Sequence, residues 1–377
     1  MKRTISIKLA TSAGHEERLT LLQQEFAHAC NALASLALEH KCNNRVKLHH
    51  LGYYAARDAF PGLGSQMTCN SIASVVRSYK SLLSNNPGLK KTDWPTITFR
   101  ESGSVHFDKR TYSIKDNALS LFTTQGRIVV PMNVGKFQKT FLETGITKEA
   151  ELVRRKGRFY FNLVLDLPGV AKRENGKVGA VDLGENNIAT MHTGKIFGGG
   201  KLRHDRDKFL ALRGRLQRNG SQSARQRLCK VSGREARHVT QVNHEVSKAI
   251  VAEAVRDECS TITMEYLTNI RKRIMAGKRM RSRLHRWAWA QLQRFVAYKA
   301  EAAGIRVEFV SPAYTSQTCS VCGRIGVRVK HRFSCSCGSL AHSDLNASRN
   351  LARLGATAVA STGAVNRPNV EMHPRLP

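Results

Sequence analysis

Four cysteines near the C-terminal end of this sequence could bind a metal ion. Cys319 and Cys322 form a Cys-x-x-Cys pair, and Cys335 and Cys337 follow as a Cys-x-Cys pair. Four thiolates are the ligand set that a tetrahedral structural Zn²⁺ ion requires. A redox role for the first pair is the alternative, but a second pair so close in sequence favours a zinc site.

Three acidic residues stand at positions that need an explanation in so basic a chain. Asp182 ends the apolar run "VGAVD", Glu265 ends "STITME", and Asp344 lies in "AHSDLNASRNL" at the start of a predicted helix. A carboxylate at the end of a buried strand is costly to ionise unless a cation or hydrogen-bond donors stabilise it. Each acid alone also has a structural explanation: Asp344 as a helix N-cap, Asp182 as a turn cap, and Glu265 as the partner of an arginine.

Taken together, the three acids predict a site for two divalent cations. Two of them end apolar strands that would be central in an α/β sheet, so the carboxylates could converge at one end of that sheet. Two Mg²⁺ ions held there can activate water and stabilise the leaving oxygen during in-line phosphodiester hydrolysis.

The composition predicts a polyanionic partner. Lys and Arg number 61 against 28 Asp and Glu, which gives a formal net charge of +33 in 377 residues. Such a charge repels itself unless a polyanion neutralises it, and nucleic acid is the obvious candidate. A membrane surface is the rival, but the sequence contains neither a separate basic amphipathic helix nor an apolar run long enough to span a bilayer.

Two tracts of basic residues are the predicted nucleic-acid contacts. One lies between Asp182 and Glu265, and the other, from Arg271 to Ala300, contains no acidic residue. A solvated helix face normally mixes charges of both signs, so these tracts favour contacts with phosphates. Trp287 and Trp289 could stack on bases, although helical spacing favours a core position for Trp287. The residues expected to contact nucleic acid are Arg203, Arg206, Arg213, Arg271, Lys272, Arg273, Arg279, Arg281 and Arg283.

The periodicity of apolar residues predicts a multidomain α+β protein. "TISIKL" alternates as a strand does, and Leu19, Leu22 and Phe26 recur at the steps of an amphipathic helix. From about 97 to 168, short alternating runs predict a β-barrel that the N-terminal strand could join. Strands then alternate with helices, as in an α/β sheet. The end of the chain lacks periodicity, which predicts disorder from 358 to 377.

Four stretches, taken as a set and in order, resemble a known family. "GAVDLGENNIAT", "ITMEYLTNIR", "YTSQTCSVCG" and "HSDLNASRNL" are similar to the split RuvC nuclease motifs and the zinc knuckle of the TnpB family, over roughly residues 173 to 355. TnpB proteins are RNA-guided DNA nucleases of insertion sequences and are related to the type V CRISPR effectors. The resemblance implies that Asp182, Glu265 and Asp344 are catalytic metal ligands and that the cofactors are two Mg²⁺ ions and one structural Zn²⁺ ion. Guide RNA and double-stranded DNA are the implied partners, and an intracellular, nucleoid-associated location is expected.

The resemblance also implies an order of domains. A wedge β-barrel domain is expected at 1–14 and 96–172, with a helical recognition domain, 15–95, inserted into it. An RNase H-like (RuvC) α/β nuclease domain is expected at 173–318 and 339–357, interrupted by a zinc knuckle at 319–338.

The second cysteine pair departs from the usual pattern of the family, which has two Cys-x-x-Cys pairs. Cys335 and Cys337 could bind through a tighter turn, His331 or His342 could replace one cysteine, or the knuckle could bind no zinc. The expected ligands are the four cysteines. The other cysteines, Cys30, Cys42, Cys69, Cys229 and Cys259, are scattered and are expected to be free thiols.

Two functions of other classes remain as alternatives. One is a DNA-binding repressor, RNA-guided or sequence-specific, that does not cut. The other is a general basic RNA-binding protein with a zinc ribbon, which would leave the three acids unexplained. Some relatives of the family have lost these acids and act only as RNA-guided repressors, so the intact set favours cleavage.

Overall fold

The protein divides into two compact units, each with its own hydrophobic core. The computed structural model describes residues 1–267, 288–311 and 314–362, with side chains described up to Val359. The first unit is Met1–Gly169, and the second comprises the described residues from Val170 onwards. Within the described residues, no helix is both long and apolar enough to cross a membrane.

Three helices form one layer of the first unit. The amphipathic pattern in the sequence places one apolar stripe of α1 in the core, where Leu19 and Leu22 are fully buried. Side-chain caps begin two of the helices: Ser12 accepts a hydrogen bond from the backbone N–H of His15, and Asn44 accepts from Val46. The helices are α1 (Ala13–Glu39), α2 (Arg45–Ala59) and α3 (Gly64–Asn85).

The other layer of the first unit is a seven-stranded antiparallel sheet. Its strand order is β2-β6-β7-β1-β5-β4-β3, and it curves into a nearly closed barrel. The N-terminal strand lies in the middle of this sheet, paired with β7 and β5. The prediction of a mixed α+β protein with a β-barrel is therefore confirmed. The strands are β1 (Lys2–Leu9), β2 (Val105–Phe107), β3 (Tyr112–Lys115), β4 (Ala118–Thr123), β5 (Gly126–Asn133), β6 (Ile146–Arg155) and β7 (Arg158–Asp166), with α4 (Lys136–Thr144) between β5 and β6.

The second unit is built on a mixed five-stranded sheet with the order β10-β9-β8-β11-β12. β8, β11 and β12 are parallel, whereas β9 and β10 pair antiparallel. β11 is buried from Cys259 to Met264, as its unbroken apolar pattern predicts for a central parallel strand. The strands are β8 (Lys177–Asp182), β9 (Asn187–Met191), β10 (Ile196–Gly198), β11 (Cys259–Glu265) and β12 (Arg306–Val310).

Three of the described helices of the second unit pack against this sheet, and a fourth packs against one of those three. A turn at Gly220, with a φ of 67°, ends one long helix, and the side chain of Ser221 caps the next. The two helices therefore form a hairpin. The helices described in this unit are α5 (Gly200–Asn219), α6 (Gln222–Arg256), α7 (Trp289–Ala302) and α8 (Ser343–Thr362).

The cysteine-rich segment forms a small three-stranded antiparallel sheet of its own. Its strands are β13 (Val327–Val329), β14 (Arg332–Ser334) and β15 (Leu340–His342), with β14 in the middle. β15 leads directly into α8, so the module sits at the N-terminal end of the last described helix.

The prediction of disorder from residue 358 onwards is wrong for its first residues. α8 continues to Thr362, so 358–362 is helical rather than disordered. The helix extends because its buried face, including Leu351, packs on the sheet and because its Ala-rich end favours helix. Residues 363–377 lie outside the described residues. The functions and exact boundaries of the expected domains stay predictions.

Candidate functional site

Asp182 and Glu265 end two neighbouring strands in the middle of the second unit's sheet. β8 and β11 are parallel, and their register pairs Val181 with Met264, each the residue before an acid. Because neighbouring strands lie about 4.8 Å apart, the two acids leave the sheet side by side. The apolar runs that predicted these strands therefore also position the two carboxylates.

Asp344 reaches the same end of the sheet from the first turn of α8. That helix packs against β8, β11 and β12. Asn187, at the start of β9, donates a hydrogen bond from Nδ2 to Oδ2 of Asp344 at 3.0 Å. The negative charge of Asp344 is close enough to Asp182 to raise the pKa of the Asp182 carboxyl group. The structure therefore brings together the three acids selected from the sequence.

Burial raises the pKa values of two of these carboxyl groups. Burial raises the pKa of Asp182 to about 8, and the charges of Glu265 and Asp344 add to the shift. Burial also raises the pKa of Glu265 above its ordinary value, while a hydrogen bond from Thr315 opposes the rise. A divalent cation would favour the ionised carboxylates in this water-poor site. Three clustered carboxylates are therefore a donor set that fits Mg²⁺.

Three residues that the sequence did not single out hold or face the acids. Thr315 Oγ1 donates a hydrogen bond to Glu265 Oε1 at 3.0 Å. The guanidinium of Arg328, in β13, lies 3.8 Å from Asp344 Oδ1. Asn187 is part of the first acidic motif, and its place in the turn after Asp182 could have marked it. Thr315 likewise lies within the quoted stretch "YTSQTCSVCG". Arg328 belongs to none of the four stretches, and only the fold of the cysteine-rich module brings it to Asp344.

The four predicted zinc ligands converge on one point. Their sulfur atoms all lie within 4.8 Å of one another, with 3.7 Å between Cys319 and Cys337 and 3.5 Å between Cys322 and Cys335. Tetrahedral Zn²⁺ at about 2.3 Å from each sulfur would separate them by about 3.8 Å. All four cysteines are free thiols. The backbone N–H of Cys322 lowers the pKa of Cys319 to about 6. The backbone N–H of Ser339 lowers the pKa of Cys337, but hydrogen bonds with the neighbouring thiols outweigh it and leave that pKa raised to about 11.

The shortened second pair reaches the cluster through a tight turn. Gly338 has a φ of 86°, and the backbone N–H of Cys335 donates to Ser339 at 3.0 Å. Only glycine adopts that conformation without strain. His331 and His342 belong to a separate group with Asp344, not to the sulfur cluster. Among the three arrangements left open by the sequence, the geometry matches four cysteines with a tighter turn.

One arginine expected to bind nucleic acid is instead part of the protein interior. Arg206 is buried, and its Nε lies 3.7 Å from Glu235, which also pairs with Arg213 at 3.6 Å. The two arginines therefore join α5 to α6 through a shared carboxylate. For Arg206 the expected phosphate contact is wrong, because a basic tract on a helix does not form a single exposed face. Arg203 donates to Oδ1 of Asn186 at 2.6 Å and is half-buried.

Other basic side chains make the α5–α6 hairpin strongly positive. Two acids near them, the half-buried Asp205 and the buried Glu235, pair with His238 and with arginines. The exposed basic residues of the hairpin are Lys201, Lys208, Arg215, Arg218, Arg225, Arg227, Lys230, Arg234 and Arg237.

Other residues named in the sequence analysis are buried or lie outside the described residues. Trp289 is 8% exposed in the second core, so it packs there rather than presenting a stacking face. Arg271, Lys272, Arg273, Arg279, Arg281, Arg283 and Trp287 lie outside the described residues.

Comparison with known proteins places the chain in a family. A family model described as the Cas12f1-like TNB domain matches residues 289–351. The TnpB-like protein of Methanocaldococcus jannaschii is 30% identical over 215 residues, which cover 52% of this chain and 74% of that protein. The chain belongs to the TnpB-like family. The resemblance seen in its motifs is thereby confirmed.

A second relative of this TnpB-like chain carries a CRISPR name. The CRISPR-associated endodeoxyribonuclease Cas12f1 of Sulfoacidibacillus thermotolerans is 34% identical over 219 residues, which cover 52% of this chain. The chain spans 50% of that relative's length.

Solved structures share the fold of the TnpB-like chain. The cryo-EM structure of a Cas12f1–sgRNA–target DNA complex superposes with a TM-score of 0.68 at 16% identity, covering 90% of this chain and 83% of that chain. The mini RNA-guided endonuclease CRISPR-Cas phi3 gives a TM-score of 0.57 at 10% identity, covering 94% and 92%. Identities this low establish the fold alone.

Proposed function

We propose that this TnpB-like protein is an RNA-guided DNA endonuclease. A guide RNA would select double-stranded target DNA next to a short flanking motif, and the second unit would hydrolyse the DNA with two Mg²⁺ ions. One observation carries the proposal: Asp182, Glu265 and Asp344 meet at one end of a mixed sheet in a chain of this family. A protein that only bound DNA would have no use for three half-buried carboxylates held together.

The side chains around the acids suit this role. When bound, two Mg²⁺ ions would activate the attacking water and stabilise the leaving oxygen. The three carboxylates would hold the ions, while Thr315 fixes the orientation of Glu265 and Asn187 that of Asp344. Arg328 places a positive charge beside the site, where the anionic backbone of a substrate would approach.

The exposed basic surface of the α5–α6 hairpin would bind nucleic acid through its phosphates. Between Lys201 and Arg237 the hairpin's acids are buried or partly buried, whereas every fully charged side chain that is exposed there is a lysine or an arginine. The formal charge of +33 fits a protein that works in complex with a polyanion. Contacts of this kind follow backbone shape and leave the choice of sequence to base pairing.

Cleavage should depend on Glu265. We expect Glu265→Gln to lower the rate by at least ~100-fold, because losing one ligand forfeits several kcal/mol of charge stabilisation in the transition state. The assay combines purified protein, guide RNA, a target plasmid and Mg²⁺. Glu301→Gln is the matched control, since Glu301 is exposed on α7.

Parallel filter-binding measurements separate nuclease from repressor. Guide-dependent binding by Glu265→Gln with lost cleavage supports the nuclease. Target binding without any nicking by the natural protein, unchanged by Glu265→Gln, would show that it is a repressor. Binding that ignores the guide sequence would indicate a general RNA-binding protein.

The four-cysteine cluster is proposed to hold one structural Zn²⁺ ion. We expect metal analysis of the natural protein to find one zinc per chain, and Cys337→Ser to lose it. Structural zinc contributes ~10–16 kcal/mol in small zinc modules, so protease should then cut within 319–338. Cys229→Ser is the control, because Cys229 is exposed on α6. Full zinc content in Cys337→Ser would mean that this cysteine is not a ligand.

A further inference from the structure

We propose that His331, His342 and Asp344 form a second metal site, which takes a transition-metal dication such as Ni²⁺ or Zn²⁺. One ring nitrogen of each histidine and one carboxylate oxygen all lie within 4.8 Å of one another. This group is separate from the four sulfur atoms of the cysteine cluster. Its carboxylate is the one that also belongs to the three-acid site.

The hairpin of the cysteine-rich module places the two histidines next to each other. His331 comes immediately before β14, and His342 ends β15 opposite Arg332. The backbone N–H of Ser343 donates to the carbonyl oxygen of His331 at 2.8 Å, which ties the two ends together. The imidazole rings stack with centroids 5.5 Å apart and planes 15° from parallel. Backbone pairing thus presents both rings on one side, beside the residue that begins α8.

The ligand set selects the class of metal. Two imidazoles and one carboxylate suit Ni²⁺, Cu²⁺ and Zn²⁺, whereas Mg²⁺ prefers oxygen ligands and retains its water. Ligands about 2.1 Å from one ion lie at most ~4.2 Å apart. His342 Nδ1 is already 4.0 Å from Asp344 Oδ2, and any pair near the 4.8 Å limit would have to close by several tenths of an ångström. His331 is exposed and His342 half-buried, which leaves the rings room to do so.

The neighbours of Asp344 predict that this site is weaker than the cysteine cluster. Arg328 lies 3.8 Å from Oδ1, and its positive charge opposes a cation. Asn187 donates to Oδ2, and the hydroxyl of Ser343 lies 3.3 Å from Oδ1. The histidine site is therefore a place for an exchangeable ion and not for a structural one.

The shared carboxylate gives the site a consequence for cleavage, which rests on the proposed function. An ion bound to the two histidines also binds the carboxylate of Asp344. That carboxylate is then less available to an ion in the three-acid site. Transition metals bind such mixed sites more tightly than Mg²⁺ does, following the general order of dication affinities. We therefore expect Ni²⁺ to inhibit Mg²⁺-dependent cleavage.

The binding test uses full-length, tag-free protein whose cysteine cluster has been loaded with zinc. Calorimetric titration with Ni²⁺, together with the visible absorption of the bound ion, should show one Ni²⁺ per chain beyond the zinc. His331→Gln and His342→Gln should each weaken this binding at least ~10-fold. His204→Gln, which changes an exposed histidine of α5, should not. Equal Ni²⁺ binding by all four proteins would overturn the site.

A second measurement tests the sharing of Asp344. The Ni²⁺ concentration that halves cleavage is measured for each protein relative to its own rate in Mg²⁺ alone. It should rise at least ~10-fold in His331→Gln and His342→Gln and stay constant in His204→Gln. If Ni²⁺ binding depends on the histidines but Ni²⁺ does not inhibit cleavage, the two sites do not share Asp344. If the natural protein does not cleave in Mg²⁺ at all, the proposed function fails, while calorimetry still decides the metal site.

Discussion

Asp182→Asn should remove cleavage and at the same time stabilise the metal-free protein. The pKa of Asp182 is raised to about 8 by burial and by the charges of Glu265 and Asp344. The amide cannot supply the negative charge that a divalent cation needs, so we expect the rate to fall at least ~1,000-fold. It also carries no charge to repel its neighbours, so the fold without metal should gain stability.

The sign of the pH dependence follows from the raised pKa of Asp182. In the unfolded chain the Asp182 carboxyl group loses its proton near pH 4. In the folded protein the same group retains the proton until about pH 8. The folded state therefore binds more protons between these values, and stability falls as pH rises through that window. The natural protein should thus lose stability relative to Asp182→Asn from about pH 4 to pH 8, by a few kcal/mol at most.

Thermal unfolding with and without Mg²⁺ tests this prediction. Without metal, the unfolding temperature of Asp182→Asn should exceed that of the natural protein, most clearly at pH 8. Added Mg²⁺ should raise the unfolding temperature of the natural protein more than that of the variant. Asp58→Asn is the control, because Asp58 is exposed on α2. A variant that is less stable without metal at every pH would show that burial of the Asp182 charge does not destabilise the fold.

The positions of Asp182 and Glu265 could be predicted from local sequence because a buried strand has a local signature. Six residues of β11 are buried without interruption, and the acid follows directly. Asp344 has no such signature, and its own motif is equally compatible with a helix cap. Only the resemblance to a family selects it, and only the packing of α8 on the sheet brings it to Asp182.

The arginines show what a charge pattern cannot predict. Arg206 and the exposed Lys208 are two residues apart in one basic tract, yet Arg206 is buried against Glu235. The hairpin at Gly220 determines which side of α5 faces α6. The number of charges along α5 does not determine it. Arg328 has no sequence signal for a similar reason, because its neighbour Asp344 comes from the far side of the cysteine module.

The helix α8 crosses β11 at Gly355, where the structure leaves no room for a larger side chain. A Cβ atom added at Gly355 would lie 1.9 Å from Oγ1 and 2.9 Å from Cβ of Thr263. Thr263 is fully buried in the central strand, and its β-branched side chain has little freedom to rotate away. Glycine is therefore required here so that the helix can approach the sheet this closely.

Gly355→Ala should therefore destabilise the second unit by about 1–3 kcal/mol, the usual range for overpacking a buried contact. For a unit of this size, each kcal/mol lowers the unfolding temperature by about 2–4 °C. Gly214→Ala is the matched control: Gly214 is also within a helix, but an added Cβ would meet nothing within 4 Å. That change should stabilise by ~0.5–1 kcal/mol, because alanine loses less backbone entropy in a helix.

The same substitution should also lower cleavage, because α8 carries Asp344 and β11 carries Glu265. Thr263 and Glu265 are two residues apart on one strand and point to the same face, so a helix displaced from Thr263 is displaced from the acids as well. Thr263→Ala should restore part of both losses when combined with Gly355→Ala, which a double-mutant cycle measures as a coupling energy. Purely additive effects of the two changes would show that this contact does not set the distance between helix and sheet.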